Sequence, residues 1–426
     1  MTPKFVFGKE KNDWIKRPLL SNIEKILDYR GRTPKKLGLS WSDTGILALS
    51  ALNVKNGYID FNADANYGDQ ELYNRWMGDN NLHKGQVVFT TEAPMGNVAQ
   101  IPNDALYILS QRTIAFEVKH HLIREDFLAT LLRSPKIFNE LTSLSSGGTA
   151  KGVSQKSLSN LNISVPASLD EQSAIGSLFR TLDDLLVSYK DNLANYQSLK
   201  ATMLSKMFPK VGQTVPEIRL DGFDGEWECV KMEDIFQIID GDRGKSYPGE
   251  SDFSSFGHTL FLDTGNVKKT GLDFSTTKFI SEEKDKELRN GKLILGDFIL
   301  TSRGTLGNVA YYDENIKKRY SSVRINSAML ILRPLLGDKI SHEYILAILR
   351  GNLISDFMKV NQVGSAQPHI TKKEFSKIKV QVPSNIREQQ AIGTYFTNLD
   401  NLISAHQEKI TQLETLKKKL LQDMFI

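Results

Sequence analysis

The chain has 426 residues, 40 % hydrophobic and 24 % charged, with a formal net charge of +4. That length exceeds one ordinary domain and suffices for two with full cores, and a globular composition excludes a wholly disordered chain. The lone Cys229 excludes an intrachain disulfide and a Cys-rich zinc site, while the absence of any apolar run near about 18 residues and of an apolar signal core in MTPKFVFGKEKNDW leads us to expect a soluble cytoplasmic protein. The mild positive charge permits a nucleic-acid partner without demanding one.

In chain order, the predicted elements are written twice. Pro3 and Trp14 recur as Pro216 and Trp227, an offset of 213. GILALSALNVKNGYIDF reads as strands around the turn-prone Asn56-Gly57, and TLFLDTGNVKKTGLDF is its counterpart, with Asn53-Val54-Lys55 matching Asn266-Val267-Lys268. GQVVFTTEAPMGNVAQI and GDFILTSRGTLGNVAYY each give a β-rich run, a polar or Gly/Pro break and a second strand, with Gly96–Ala99 matching Gly307–Ala310 at offset 211. ALYILSQRTIAFEV and SSVRINSAMLILRP continue as strands. The period then becomes helical, at Phe127, Leu128, Leu131, Leu132 and Ile137, and at Tyr344, Ile345, Ile348, Leu349 and Ile354. A Gly-containing loop follows, SSGGTAKG or VGSAQPH, and each copy ends on Val-Pro, at 165–166 and 382–383, offset 217. A duplication of about 210 residues is too long a period for a solenoid and implies two copies of one fold.

After each Val-Pro comes a long helix. VPASLDEQSAIGSLFRTLDDLL and VPSNIREQQAIGTYFTNLDNLI place a capping box at Ser168–Glu171 and its analogue at Asn385–Glu388. Apolar side chains follow at Ile175, Phe179, Leu182, Leu186, Tyr189, Leu193, Tyr196, Leu199 and Met203, and the second copy steps likewise from Ile392 through Phe396, Leu399, Ile403, His406, Ile410, Leu413 and Leu416 to Leu420. That stepping marks a coiled-coil seam. About 40 residues of helix span roughly 60 Å, more than a globule can cover, so each helix needs the other. The expected fold is α+β: two similar globular domains (1–166 and 210–383) separated by two long antiparallel coiled-coil helices (167–209 and 384–426), a tandem duplication with pseudo-twofold symmetry.

The ordered set of motifs, namely PEIRLDGFDGEWE, GNVA in both copies and the paired VP(x)4EQ(x)AIG(x)2F(x)2LD segments, resembles the specificity subunits of type I restriction-modification enzymes over essentially the whole length. The resemblance implies that residues near 1–166 and 210–383 are target-recognition domains, each reading half of a split DNA sequence. It implies helices that fix the gap between half-sites and dock two methyltransferase subunits, with Glu171, Gln172, Phe179, Glu388, Gln389 and Phe396 as candidate docking residues. It further implies that restriction/translocase subunits join, and that S-adenosylmethionine, ATP and Mg are held by those partners, with no cofactor or metal in this chain.

The candidate reading loops differ between copies: RGRTPKK against RGKSYPG, TTEAPMG against TSRGTLG, SSGGTAKGVS against VGSAQPHIT. Different side chains at equivalent positions read different bases, so a non-palindromic bipartite target is expected. Candidate DNA contacts are Arg30, Arg32, Thr91, Glu92, Lys151 and Gln155 in the first copy, and Arg243, Lys245, Ser302, Arg303, Gln367 and His369 in the second. Arginine is the best bidentate reader of guanine, and Gln155, Gln367 and His369 could read adenine. Each could instead be solvated surface or a loop brace, and Lys317-Lys318-Arg319 reads as a phosphate-facing or simply exposed hairpin tip.

No catalytic motif is present. Gly241–Ser246 imitates a phosphate loop, but Ile239 stands where the first glycine of GxxxxGK[ST] belongs. GxGxxG, HExxH, GxSxG and Asn-Pro-Pro are missing, and His120-His121 has no spaced zinc partners. The alternatives to a non-catalytic specificity subunit are a self-contained DNA-modifying enzyme of unrecognised type and a coiled-coil adaptor. Leu193→Pro, which interrupts the first long helix at a cost of about 3 kcal/mol or more, is expected to abolish co-purification with a methyltransferase subunit.

Overall fold

The computed structural model describes residues 14–145, 152–210, 212–361 and 369–425. The chain divides into two compact units, residues 1–190 with 408–426, and residues 191–407.

In the first unit, β1 (Ile15–Pro18) pairs antiparallel with β6 (Asn162–Val165), closing the two ends of the globule on each other. A four-stranded antiparallel sheet has the order β2 (Ile23–Asp28), β5 (Thr113–Val118), β3 (Val87–Thr90), β4 (Val98–Gln100). Beside it, Ile46–Leu49 pairs antiparallel with Tyr67–Gly68 and parallel with Ile108–Leu109. β3 is buried at all four positions because the helix α1 (Glu125–Leu132) covers one face of the sheet, and the β-branched and aromatic residues of VVFT suit that setting. The helix α2 (Pro135–Leu144) follows, capped by Ser134 with proline in its first turn.

The repeated motifs brace the hairpin between β3 and β4. Asn53 donates to Asp60 O and accepts from Ser50 N, closing a tight loop in which Gly57 has φ of 103°. Asn97, from GNVA, donates to Val54 O at 2.9 Å, and its own N–H reaches Thr90 Oγ1 at 2.9 Å. The two motifs therefore hold each other, and the loop 91–95 projects from that brace.

The second unit repeats this strand for strand. β7 (Glu228–Lys231) pairs with β12 (Lys379–Val382), and the four-stranded order is β8 (Phe236–Asp240), β11 (Met329–Pro334), β9 (Phe298–Thr301), β10 (Val309–Tyr311). Thr259–Leu262 pairs antiparallel with Phe279–Ile280 and parallel with Val323–Ile325. Asn308 donates to Val267 O at 2.8 Å, and its N–H reaches Thr301 Oγ1 at 2.9 Å. The helices α4 (His342–Arg350) and α5 (Leu353–Asn361) take the places of α1 and α2. One expectation is corrected: Lys317-Lys318-Arg319 is no hairpin tip but the last turn of a short helix, Glu314–Arg319, where three cations meet the negative end of the helix dipole.

The long helices are α3 (Leu169–Lys206) and α6 (Ile386–Met424). In the first unit Asp183 of α3 meets Lys417 of α6 and Lys190 meets Glu414; in the second, Tyr196 stacks edge-on with His406 and Lys200 meets Asp400. Within each unit, then, rising numbers on α3 meet falling numbers on α6, and the pair is antiparallel. The seam is less complete than its apolar periodicity suggests: Leu199 and Leu416, equivalent at offset 217, are 37 % and 45 % exposed. Two helices bury only the side of each that faces the other.

The start of each long helix is bolted to its globule in the same way. An added Cβ at Gly176 would lie 2.4 Å from Asp126 Cβ and 3.0 Å from Phe127 N; at Gly393 it would lie 2.5 Å from Glu343 C and 2.6 Å from Tyr344 N. The expected capping boxes are only half formed. Ser168 caps through Glu171 N at 3.3 Å and Asn385 through Arg387 N at 3.0 Å, but Glu171 accepts from Trp14 Nε1 and Glu388 pairs with Arg219 instead of turning back to the cap. Gly176→Ala and Gly393→Ala are each expected to lower stability. Forcing a methyl against backbone costs about 1–3 kcal/mol, more than the ~1 kcal/mol that alanine returns in helix propensity. The denaturant midpoint measures the balance.

Candidate nucleic-acid interface

In the first unit the candidate reading residues gather where β2, β3 and β5 present their loops. Arg30 sits just beyond β2 and is clamped by Asp28, with Nε to Oδ1 at 3.0 Å and to Oδ2 at 2.9 Å, and its Nη1 approaches Val153 O at 3.4 Å. Gln155 donates to the same Asp28 carboxylate at 3.0 Å. Burial alone would raise the Asp28 carboxyl, but the hydrogen bonds from Arg30 and Gln155 outweigh it and hold the pKa below its ordinary value, while Arg30 is raised by the same partner. Glu92 pairs with Arg112 at 3.1 Å and bridges to Gly152. Arg30, Glu92, Arg112 and Gln155 therefore form one charged cluster. Arg32 faces another way: its guanidinium lies 4.7 Å from the Tyr29 ring centroid and donates to Trp76 O.

In the second unit Arg243 follows β8 and donates to Ser327 O at 3.1 Å, with Asp240 at 3.4 Å. Arg303 is exposed, and its backbone N–H donates to Ala328 O in that same loop. Lys245 and His369 are exposed as well, and Ile370 N donates to Ser302 O at 3.0 Å, holding the segment after the Gly-containing loop against the 302–306 loop. Lys151 and Gln367 lie outside the described residues.

Two candidates are corrected. Thr91 and Ser302 are 1 % exposed, and their backbones are spent on Arg112 O and Val153 N in one copy, on Ala328 O and Ile370 N in the other. They pin the candidate loops from beneath, and their burial leaves their side chains no exposed surface to offer a base. Two arginines outside the sequence-derived set join them: Arg112, at φ of 68° beside Glu92, and Arg289, which with Arg243 borders a cleft of about 320 Å3. Arg289 has no equivalent in a repeated motif, so only proximity identifies it.

The helix residues are reassigned too. Gln172 is fully buried: its Oε1 accepts from Arg124 N at 2.9 Å, and its Nε2 donates to Pro166 O at 2.9 Å and Leu122 O at 3.1 Å. Gln389 repeats this with Ser341 N, Pro383 O and Lys339 O, every partner displaced by 217. Phe179 and Phe396 are buried in aromatic clusters, and Glu388 is 1 % exposed. These side chains tie helix to globule; of the six docking candidates, Glu171 alone retains partial exposure. A related pair went unread: Phe425 packs on Trp14, Phe127 and Phe179, and Phe208 on Trp227, Tyr344 and Phe396. The Met-Phe dipeptides at 207–208 and 424–425, again offset by 217, were the available signal.

Two frames thus share the glutamine and asparagine bonds that pin their backbones, beneath loops that differ. The family model for the type I restriction-modification DNA specificity domain matches residues 9–196 and 224–415. The chain belongs to that family. Among its relatives in Methanocaldococcus jannaschii, the type I restriction enzyme MjaVIII specificity subunit is 23 % identical over 324 residues, covering 74 % of this chain and 72 % of its own. The putative type I restriction enzyme MjaX specificity subunit is 22 % identical over 438 residues, covering 98 % and 94 %. Among solved structures, the S subunit of the type I restriction-modification system from M. genitalium superposes with a TM-score of 0.65 at 17 % identity, covering 100 % of this chain and 99 % of its own. A chain from a type I restriction-modification system solved in work on complex assembly and conformational transition gives 0.51 at 18 % identity, with 97 % of each covered. Among the described residues of this specificity-family chain, no helix is long and apolar enough to cross a membrane, and no cluster of His, Cys, Asp or Glu is arranged to hold a metal ion.

The second unit carries a buried ion network with no counterpart among the described residues of the first. Arg324, 4 % exposed, pairs with Asp285 and donates to Asp285 O, Leu288 O and Asn290 O, while Lys292 shares the carboxylate. This staples the 282–292 segment, and with it Arg289, to the strand Val323–Ile325. Burial would raise the Asp285 carboxyl, but Lys292 and Arg324 outweigh it and the pKa is lowered from 3.8. The lowered group stabilises the fold above its unfolded value, and the contribution is lost as pH falls through the folded one. Asp285→Asn is expected to cost roughly 3–5 kcal/mol at neutral pH by stranding a buried guanidinium. Its melting temperature should also fall less between pH 5 and pH 3 than that of the unsubstituted chain.

Proposed function

We propose that this chain is the sequence-reading subunit of a type I restriction-modification complex and carries no chemistry of its own. Each globule reads one half of an asymmetric, split double-stranded DNA target, and the helices fix the spacing and dock two methyltransferase subunits; restriction/translocase subunits complete the assembly. S-adenosylmethionine, ATP and Mg belong to those partners. The observation that carries the reading is a repeated buried frame, with every bond of Gln172 recurring at Gln389, beneath loops whose exposed residues diverge. Selection for stability alone would not require two copies with different exposed loops, whereas reading two different half-sites does.

The exposed arginines suit major-groove guanine or phosphate, and the carboxylates beside Arg30 and Arg112 restrain those side chains before DNA arrives. Purified chain with tritiated S-adenosylmethionine and DNA should transfer no methyl groups, and added methyltransferase subunit should switch on adenine methylation at a non-palindromic bipartite site. Turnover by the chain alone would overturn the assignment. Arg303→Ala should relax base preference in one half-site only, by about 1–3 kcal/mol if the contact is bidentate, leaving the other half unchanged in a methylation competition assay. A change in both halves would refute the modular reading.

A further inference from the structure

Each unit contains one three-membered ion bridge that joins its globule to both long helices. In the first, Arg133, at the C-terminal end of α1, donates Nη1 to Asp183 Oδ2 of α3 at 2.6 Å, and Lys417 of α6 takes the other carboxylate oxygen. In the second, Arg350, the last residue of α4, stands 4.0 Å from Asp400 of α6, and Lys200 of α3 reaches that carboxylate at 2.6 Å. All three positions are displaced by 217, and all three residue types are kept.

The bridges also touch the hairpins that carry the reading loops. Arg350 donates to Val309 O on β10 at 3.3–3.4 Å. Arg133 Nη1 lies 2.9 Å from where a Cβ at Gly57 would sit, and Gly57 N donates to Val98 O on β4 at 2.7 Å. One carboxylate thereby connects the loop-bearing hairpin, the helix leaving the globule and the antiparallel helix beside it. Stability alone is a weak reason for the repeat. The aspartates and lysines are 20–28 % exposed, so solvent still screens the inter-helix arms and they contribute less than the aromatic clusters a few residues away.

Building on the DNA-reading function above, we propose that Asp183 and Asp400 are positioning residues for half-site spacing. They fix the angle at which each reading hairpin is carried on the helix pair, so that the accepted spacer depends on the bridges as well as on helix length. Neighbouring base pairs are about 3.4 Å apart, so a small rotation at the bridge, multiplied by the distance out to the reading loop, shifts recognition by one pair. The first bridge has the shorter arginine contact, 2.6 Å against 4.0 Å.

The test is genome-wide modification sequencing of a host that carries the native methyltransferase subunit with either the unsubstituted chain or Asp183→Asn, Asp400→Asn, Lys417→Gln or Lys200→Gln. The unsubstituted chain should methylate one pair of half-sites at a single spacer length. The variants should keep the same bases and add spacers one base pair shorter and longer, with Asp183→Asn broadening the distribution more than Asp400→Asn. A single unchanged spacer in variants with unchanged melting temperature overturns the proposal, as does altered base preference or loss of all methylation in such folded variants. Should an aspartate variant unfold, the lysine variants decide, because they remove only the inter-helix arm. Failure of the unsubstituted chain to direct bipartite methylation would instead refute the DNA-reading function itself.

Discussion

Each long helix meets the first turn of the globular helix beneath it too closely for a side chain at the crossing. At Gly176 and Gly393 two backbones meet with no room for a Cβ, and one helical turn earlier Gln172 and Gln389 satisfy three backbone groups apiece. Buried amides and carbonyls left unpaired cost about 1–3 kcal/mol each, so an apolar side chain at either glutamine would strand groups that water cannot reach. Everything that presents a reading loop is built outward from this seating. The globular helix covers the four-stranded sheet, the sheet carries the hairpin, and the hairpin holds the loop.

The repeat is faithful at the aromatic clusters and at the side chains that pin backbone, and looser elsewhere, enclosed charges included. Trp14 and Trp227 occupy matching aromatic clusters, yet the glutamate beside each has found a different partner, the indole N–H in one copy and Arg219 in the other. Among the described residues, the Arg324–Asp285–Lys292 network lies in the second copy alone. Aromatic clusters and backbone-pinning side chains tolerate few volumes and fewer unpaired polar atoms, which keeps these parts of both copies alike. A strand-end loop whose backbone is already pinned, as at Thr91 and Ser302, can change its outer side chains with little effect on that frame. Such an arrangement lets a protein change what it reads without changing how it folds.

Electrostatics at the candidate nucleic-acid interface is correspondingly local. Arg30, Arg112 and Arg243 each have a carboxylate within reach, so the basic loops are partly neutralised when free. This restrains the arginines and tempers non-specific attraction to any polyanion. A net charge of +4 over 426 residues fits a reader that depends on placed contacts more than on bulk charge.

The amino-acid sequence determined the duplication, the order of strands and helices, the two long helices and the loops that differ, because these follow from periodicity and from residues compared at a constant offset. Tertiary structure decided which of those residues face outward. Gln172 and Thr91 look like surface polar residues in one dimension and are enclosed in three; Leu199 and Leu416 have the period of a core and remain exposed. Periodicity reports which side of an element is apolar, but burial depends on what distant chain segments cover that side. The bridges from Arg133 and Arg350 belong to this second class, since their partners lie 50 residues away on one helix and far along the chain on the other. Only folding brings the three charges together.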